Sequence, residues 1–364
     1  MLQEETIHWL ALNRAPGIGP RRFFRLLEAF GTAVKAWAAP AGLLTGVLGR
    51  AAAREFVNYR QKARVEEEWE TAKKKNIKYL LYKEKNYPEL LKKIPDPPPV
   101  LYYAGEFRPE DRCAVAVVGS RAATPGGLEL ARELAAGLAA QGITVVSGLA
   151  RGIDTAAHRG ALTTGGGRTI AVLGSGLDRL YPRENQELAG EIKRRGVVCS
   201  EFPLGTSPLP VNFPVRNRII SGLSLGVTVV EASADSGSLI TAGLALEQGR
   251  EVFAFPGPVD RKVNKGTNRL IKQGAALVEG VEDILYALNF PFQVSKETAA
   301  AVEVEDLSPP EKKVWELLAG EASHIDLLVR ESGLPASEVA AALALLELKG
   351  LVAQVATKTY RRLQ

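Results

Sequence analysis

The chain has 364 residues, of which 46% are hydrophobic and 24% charged, and its net charge is +5. This length allows two or three domains with a sizeable core, and the composition is that of a soluble globular protein. No apolar run reaches the roughly 20 residues of a membrane span, and the first residues lack the basic start of a signal peptide, so we expect a cytoplasmic protein with no membrane partner.

The first predicted module is helical and covers residues 1–82. Apolar spacing predicts helices on both sides of the GIG turn at 17–19, which is typical of a helix-hairpin-helix (SAM-like) domain. The module carries 14 Lys/Arg against 8 Asp/Glu, and three basic residues follow the turn: Arg21, Arg22 and Arg25. The turn could hold phosphate, although a module that only packs or contacts protein would show the same pattern.

The central module, residues 83–290, is predicted to be a doubly wound α/β domain. Four closely spaced prolines predict an extended entry without helix between Pro88 and Val100. Six runs rich in Val and Ile then alternate with helical segments: 114–120, 143–149, 169–176, 197–202, 226–232 and 251–257. This alternation predicts a doubly wound, mostly parallel sheet that binds ligands at its carboxyl edge.

The remaining chain is predicted to contain a linker and a small domain. Residues 291–306 have the composition of a linker, and residues 307–364 show three helical runs and a short hairpin, the pattern of a winged helix. Ser308 and Ser337 are the N-cap candidates of two of these helices.

The first candidate site is the turn Gly119-Ser120-Arg121, which follows a predicted strand. Glycine lets an anion approach the backbone, and Arg121 with the N–H groups of the next helix would supply donors. A plain turn with a solvated arginine is an equal alternative. The turn has neither GxxxxGK[ST] nor GxGxxG spacing, which disfavours a P-loop hydrolase and ordinary NAD binding.

A second turn brings Gly148 and Arg151 to the same edge. Asp154 is expected to cap the helix that follows. His158 on that helix is expected to pack or to hydrogen-bond rather than to act in catalysis.

The richest cluster contains Phe213, Arg216, Asn217 and Arg218, where a helix begins after a proline-fixed loop. Arginine pairs with phosphate through two N–H groups, and an aromatic ring stacks on a base for about 1–3 kcal/mol, so the cluster favours nucleic-acid binding. In the alternative, the ring fills the core and one arginine pairs with a carboxylate such as Glu201.

Two further segments could meet an anion. The turn Ser236-Gly237-Ser238 precedes a helix and is either an anion site or a simple cap, and the adjacent Asp235 disfavours the anion. The second segment supplies basic side chains for an anionic path or a solvated face: Arg261, Lys262, Lys265 and Arg269.

Metal and cofactor motifs are not predicted. Cys113 and Cys199 have no metal-ligand spacing with the three histidines, so we expect buried free thiols, no metal and no cofactor.

Seven motifs occur in order along the central module. They are GSR at 119–121, SGLARGIDTAAH at 147–158, GSGLDRLYPREN at 174–185, SEFPLG at 200–205, FPVRNRIISGLS at 213–224, SGSLITA at 236–242 and PGPV at 256–259 with NKGTNRLI at 264–271. Together they resemble the DNA-processing protein A (DprA/Smf) family. The resemblance implies an extended Rossmann-like fold for the central module, in a non-enzymatic homodimer that binds single-stranded DNA without sequence preference. It also implies that the protein protects incoming DNA and loads a RecA-type recombinase in natural transformation and recombination.

The same resemblance assigns roles to single residues. Arg121 and Arg218 are the expected phosphate contacts, and Phe213 is the expected base contact. This chain has Pro210 where some relatives have lysine, and Asp235 where relatives often have a basic residue, so DNA contacts there are expected to be weaker or differently distributed. The winged helix carries 7 basic and 7 acidic residues, which favours protein contact or regulation over DNA reading.

Two alternatives belong to other classes of protein. A nucleotide-binding sensor or nucleotide-processing enzyme of a related Rossmann-like fold would need a carboxylate pair near Arg121. Glu201 and Glu231 lie at strand ends and are the candidates, although we expect structural roles for both. A DNA-binding regulator acting through the winged helix is disfavoured by the charge balance of that domain.

Overall fold

The computed structural model describes residues 2–290, 307–318, 322–348, 351–356 and 358–362. The chain divides into two compact units, Met1–Pro291 and Phe292–Gln364. The predicted linker 291–306 lies outside the described residues. None of the described helices is long and apolar enough to cross a membrane.

The larger unit is built on a sheet that has nine strands within residues 2–290. They are β1 Lys78–Leu81, β2 Val100–Gly105, β3 Ala114–Val118, β4 Thr144–Ser147, β5 Thr169–Val172, β6 Val197–Ser200, β7 Gly226–Val229, β8 Glu251–Ala254 and β9 Ala276–Leu277. Their order is β1-β2-β6-β5-β4-β3-β7-β8-β9, and every pair from β6 to β9 is parallel. The predicted doubly wound, mostly parallel sheet is confirmed.

The entry to this sheet differs from the prediction. Strands β1 and β2 pair antiparallel with each other, and β2 pairs antiparallel with β6. A short helix, α7 Glu89–Lys92, lies in the segment for which we predicted no helix. Pro88 is its N-cap, a position where the missing N–H of proline breaks no helical hydrogen bond, and the other prolines follow the helix.

Helices cover both faces of the sheet and precede it in the chain. The N-terminal helices are α1 Leu2–Arg14, α2 Pro20–Phe30, α3 Ala33–Ala38, α4 Ala41–Leu48, α5 Arg50–Arg60 and α6 Glu67–Lys74. The later ones are α8 Pro125–Ala140, α9 Ile153–Thr163, α10 Gln186–Arg195, α11 Asn212–Gly222, α12 Gly237–Glu247, α13 Lys265–Lys272 and α14 Val281–Ala287. Helices α8, α9 and α14 share one buried cluster with the sheet, and α7, α11 and α12 share another. The N-terminal helices share a third cluster with α10, β5 and β6.

Helices α8 and α9 pack together at unusually short range. A Cβ atom added at Gly160 of α9 would lie 2.1 Å from the carbonyl oxygen of Arg132 on α8. Only glycine permits this approach, because a methyl group would overlap the backbone of the neighbouring helix.

The smaller unit has the predicted winged-helix fold. Its elements are α15 Pro309–Leu317, β10 Ser323–His324, α16 Ile325–Ser332, α17 Ala336–Leu348, β11 Val352–Ala356 and β12 Thr359–Arg362. Ser308 is the N-cap of α15, as predicted, and its backbone N–H donates to Glu311 Oε2 at 2.8 Å. The prediction for Ser337 was wrong, because α17 begins one residue earlier, directly after Pro335.

The two cysteines differ in exposure. Cys199 is a buried free thiol in β6, as predicted. Cys113 is also free but only partly buried, since it lies before β3 rather than inside it.

We predict that Gly160→Ala lowers the free energy of unfolding by about 1–3 kcal/mol, because α8 and α9 must separate to admit the methyl group. Gly243→Ala is the matched control. Position 243 is exposed on α12 with open space around its Cβ, so alanine there should raise stability by about 0.5–1 kcal/mol. Urea denaturation followed by circular dichroism measures both changes, and equal stability of the two variants would contradict the close packing.

Candidate functional site

Loops at the carboxyl edge of the sheet enclose an open cleft of about 640 Å³, here called the carboxyl-edge cleft. The chain places β4 to β6 on one side of β3 and β7 to β9 on the other. The strand order therefore reverses at β3, where doubly wound sheets bind ligands. Predicted site residues that line the cleft are Gly119, Ser120, Arg121, Phe213, Arg216, Asn217, Ser236, Gly237 and Ser238.

Arg216 lies beneath this cleft and is only 3% exposed. Its Nη1 donates to the carbonyl oxygens of Gly148, at 2.6 Å, and Val172. Its Nε donates to Asn217 Oδ1 at 3.2 Å. Burial lowers the pKa of Arg216 to about 10, although the nearby negative charge of Asp154 acts to raise it. This guanidinium therefore joins the ends of β4 and β5 to α11.

Gly148 and Asp154 complete this buried arrangement. A Cβ atom at Gly148 would lie 2.5 Å from Arg216 Nη1, so any other residue at this position would displace the guanidinium. Asp154 accepts from the backbone N–H groups of Gly148 at 3.1 Å and Ala150 at 3.3 Å. Asp154 is not the helix cap that we predicted, because α9 begins at Ile153 and the carboxylate points back to the loop before it.

Arg121 and Phe213 form a pair at the mouth of the cleft. The Arg121 guanidinium carbon lies 5.1 Å from the Phe213 ring centroid, and that of Arg216 lies at 5.8 Å. Arg121 is exposed, and it has no hydrogen bond or ion pair with another residue in the described part of the chain. Its charge is therefore available to a ligand.

The site contains one aromatic residue that our sequence reasoning missed. The ring of Tyr181 lies 5.9 Å from that of Phe213 at an angle of 49°, and its side chain is exposed. Its signal was a tyrosine beside a proline in the loop after β5. On another side of Phe213, the ring lies so close to Gly174 that an added Cβ would be 2.8 Å from Cδ1.

The Ser236-Gly237-Ser238 turn both caps α12 and lines the cleft. The backbone N–H of Ser238 donates to Ser236 Oγ at 3.4 Å, and the two hydroxyl oxygens are 2.8 Å apart. Asn217 Nδ2 donates to the carbonyl oxygen of Gly237 at 3.4 Å. The cap and the cleft lining are thus one structure.

Arg151 lies in a neighbouring cleft and forms a two-pronged ion pair with Glu184. Its Nε donates to Oε1 of the carboxylate, and its Nη2 donates to Oε2 at 3.0 Å. The hydrogen bonds and charges of the pair lower the pKa of Glu184 and raise that of Arg151. Both side chains are more than half exposed.

Arg218 has contacts that contradict its expected role as a phosphate ligand. It is 5% exposed, its Nη2 lies 2.5 Å from Glu201 Oε2, and its Nε lies 3.3 Å from Asp96 Oδ2. Burial raises the pKa of Glu201 and the guanidinium opposes that shift. The alternative in which one arginine pairs with Glu201 describes this residue.

The other candidate catalytic groups also have structural contacts. Glu231 accepts from Thr124 N at 2.9 Å and from Thr124 Oγ1 at 2.6 Å, at the start of α8. His158 is buried with Nδ1 2.7 Å from Thr169 Oγ1, and burial lowers its pKa to about 3. Within the described residues, no three His, Cys, Asp or Glu side chains form a group that could hold a metal ion.

The remaining basic segments lie outside the carboxyl-edge cleft. Four exposed side chains before and within α13 are absent from its lining: Arg261, Lys262, Lys265 and Arg269. The N-terminal hairpin has Gly17 at φ +73°, and Arg22 Nη1 donates to its carbonyl oxygen at 2.8 Å. Arg21 and Arg25 are exposed.

Family models match three parts of the chain. A DprA-like N-terminal HHH domain matches residues 3–71, DNA recombination-mediator protein A matches residues 78–289, and a DprA winged helix domain matches residues 298–356. The chain belongs to the DNA recombination-mediator protein A (DprA) family.

Known members of the DprA family resemble this chain in sequence and in structure. Protein Smf of Synechocystis is 34% identical over 398 residues and covers 100% of both chains. The crystal structure of DprA from Streptococcus pneumoniae has a TM-score of 0.68 at 35% identity, covering 80% of this chain and 99% of that one. A structure of DprA from Helicobacter pylori, reported for the single-stranded DNA binding mode of that protein, has a TM-score of 0.53 at 31% identity, covering 58% and 95%.

We predict that Arg218→Ala lowers the free energy of unfolding by about 3–5 kcal/mol, because Glu201 would stay buried without its counter-charge. Arg261→Ala removes an exposed arginine from the same unit and should change stability by less than about 0.5 kcal/mol. Urea denaturation of both variants checks this. A loss below about 1 kcal/mol for Arg218→Ala would contradict a structural role for the pair.

Proposed function

We propose that this protein binds single-stranded DNA without sequence preference in the carboxyl-edge cleft. The observation that carries the proposal is the pair of Arg121 and Phe213 at the mouth of the cleft, with the guanidinium exposed and 5.1 Å from the ring. A phosphate needs such a charge, and a base needs such a ring. The structural similarity to the H. pylori protein, which was studied for its single-stranded DNA binding, supports the same ligand.

The proposed roles follow from exposure. Arg121 contacts phosphate and Phe213 contacts a base, with Asn217 and the start of α12 supplying further polar groups. We assign Arg216 to supporting the ring rather than to contacting the strand, since it is buried, its Nη1 donates to two carbonyl oxygens and its Nε donates to Asn217 Oδ1. Pro210 lines the cleft, so the lysine that some relatives have there would add a charge that this chain lacks.

Fluorescence anisotropy of labelled oligo-dT, as single strand and duplex at several salt concentrations, tests this proposal. We predict that Arg121→Ala weakens single-strand binding about tenfold and reduces the slope of log K against log salt by about 0.7, the value for one phosphate contact. Phe213→Leu should cost about 1–3 kcal/mol of binding free energy without changing that slope, because stacking releases no counterion.

Arg194→Ala is the control for loss of one positive charge. Arg194 is exposed near the end of α10, which precedes β6 and so lies at the opposite, amino edge of the sheet. It should leave binding almost unchanged at moderate salt. Equal losses of single-strand affinity for Arg194→Ala and Arg121→Ala would refute the assigned site. If the wild type binds no single strand, a small nucleotide becomes the candidate ligand of this cleft.

We further propose that the protein, acting as a homodimer without a catalytic step, protects single strands and loads a RecA-type recombinase in natural transformation and recombination. The family description as a recombination mediator supports this role. On DNA covered by a single-strand-binding protein, we predict that the wild type stimulates joint-molecule formation by the recombinase and that Arg121→Ala needs a concentration about tenfold higher for the same stimulation. Cleavage of the DNA, or no stimulation by a protein that binds it, would contradict the mediator role.

We propose that the winged helix contacts protein rather than DNA. Its helix α17 contains no lysine or arginine, whereas a helix that reads DNA carries basic side chains.

A further inference from the structure

A second cleft of about 520 Å³ adjoins the carboxyl-edge cleft and contains four arginines. We call it the arginine groove and define it by Arg121, Arg132, Arg151 and Arg159. Arg121 lines both clefts, so it forms the boundary between them. The groove is therefore continuous with the proposed DNA site.

The close packing of α8 and α9 brings these arginines together. Gly160 lies against the backbone of Arg132, and Arg159 precedes Gly160 in α9. Arg151 belongs to the loop before α9. Arg132 and Arg159 are exposed, so the close contact between α8 and α9 places their charges on one accessible surface.

The groove has more positive than negative charge. Its acidic lining residues are Glu129 and Glu184, which pair with Arg132 at 2.7 Å and with Arg151, respectively. All four side chains of these pairs are at least half exposed, so solvent screens both pairs and a phosphate can compete with each carboxylate. Arg159 has no ion pair with any described residue.

The two clefts differ in the part of a nucleotide that they suit. The carboxyl-edge cleft contains the rings of Phe213 and Tyr181. The described residues that line the arginine groove include no aromatic side chain. Guanidinium groups without aromatic rings favour the sugar–phosphate backbone over the bases.

We propose that a single strand held in the carboxyl-edge cleft continues past Arg121 into the arginine groove, where Arg132, Arg151 and Arg159 bind the phosphates of its next nucleotides. This inference rests on the proposed function. The strand would be held by stacking in the first cleft and by charge alone in the second. Contact with phosphates alone also gives no sequence preference.

The experiment compares oligo-dT of about 6 nucleotides, which fills the first cleft only, with oligo-dT of about 16 nucleotides, which reaches the groove. We expect Arg132→Ala/Arg159→Ala to weaken binding of the longer strand about tenfold and to reduce its salt slope by about 1.4, the value for two phosphates. Binding of the shorter strand should not change. Arg194→Ala, combined with Lys193→Ala, removes two charges from exposed positions of α10 and should leave both strands almost unaffected.

Glu184→Gln provides a test in the opposite direction. It removes the carboxylate that pairs with Arg151, so the longer strand should bind several-fold more tightly. The affinity for the shorter strand should not change. Thermal unfolding of every variant confirms that the fold is retained.

The outcomes separate the two proposals. If the wild type binds both strands and the double variant binds them as the wild type does, or loses affinity for both equally, the groove is not the path and the first cleft remains. If the wild type binds neither strand, the proposed function itself fails and the groove fails with it.

Discussion

The carboxyl edge of this sheet depends on the buried guanidinium of Arg216. Its donors hold the carbonyl oxygens of Gly148 and Val172, so the ends of two neighbouring strands and the start of α11 are fixed relative to one another. A buried cation is stable only when its hydrogen bonds and charge are met. Asp154 supplies the nearby opposite charge and also holds the loop after β4. The glycine at position 148 follows from the same constraint, because any side chain would occupy the space of the guanidinium.

Three arginines of similar appearance in the sequence have different physical roles. Arg216 and Arg218 lie two residues apart in α11, yet one faces the ends of the strands and the other faces Glu201 and Asp96. Arg121 is exposed and has neither kind of partner among the residues that the structure describes. The motifs predicted that residues of several loops share one edge of the sheet, because residues that follow parallel strands must meet there. They did not predict which guanidinium is free, because that depends on carboxylates far away in the chain.

The fold, too, could be predicted from the sequence only in part. Runs rich in Val and Ile predicted β3 to β8, because strands buried on both faces need continuous apolar residues. Strands β1 and β2 escaped prediction: both are antiparallel, and the prolines between them obscured the return of the chain to the sheet. Helix α7 escaped because a cluster of prolines was given more weight than the permissive N-cap position of Pro88. Local propensity was informative inside elements and misleading at their ends.

The N-terminal helices also reach the segment that leads to the site. Glu68 of α6 is 1% exposed and accepts from the backbone N–H of Leu204 at 2.8 Å. Asp178 accepts from the N–H of Gly205 at 2.7 Å and pairs with Lys75 at 2.5 Å. The loop between β6 and α11 is thus anchored at its first half by residues of the helical module and of the loop after β5. Because that loop continues to Phe213, the helical module contributes to the position of the ring without lining the carboxyl-edge cleft. The sequence allowed this module to be either a phosphate-binding hairpin or a packing module, and in the folded chain its contacts also support the loop that leads to the carboxyl-edge cleft.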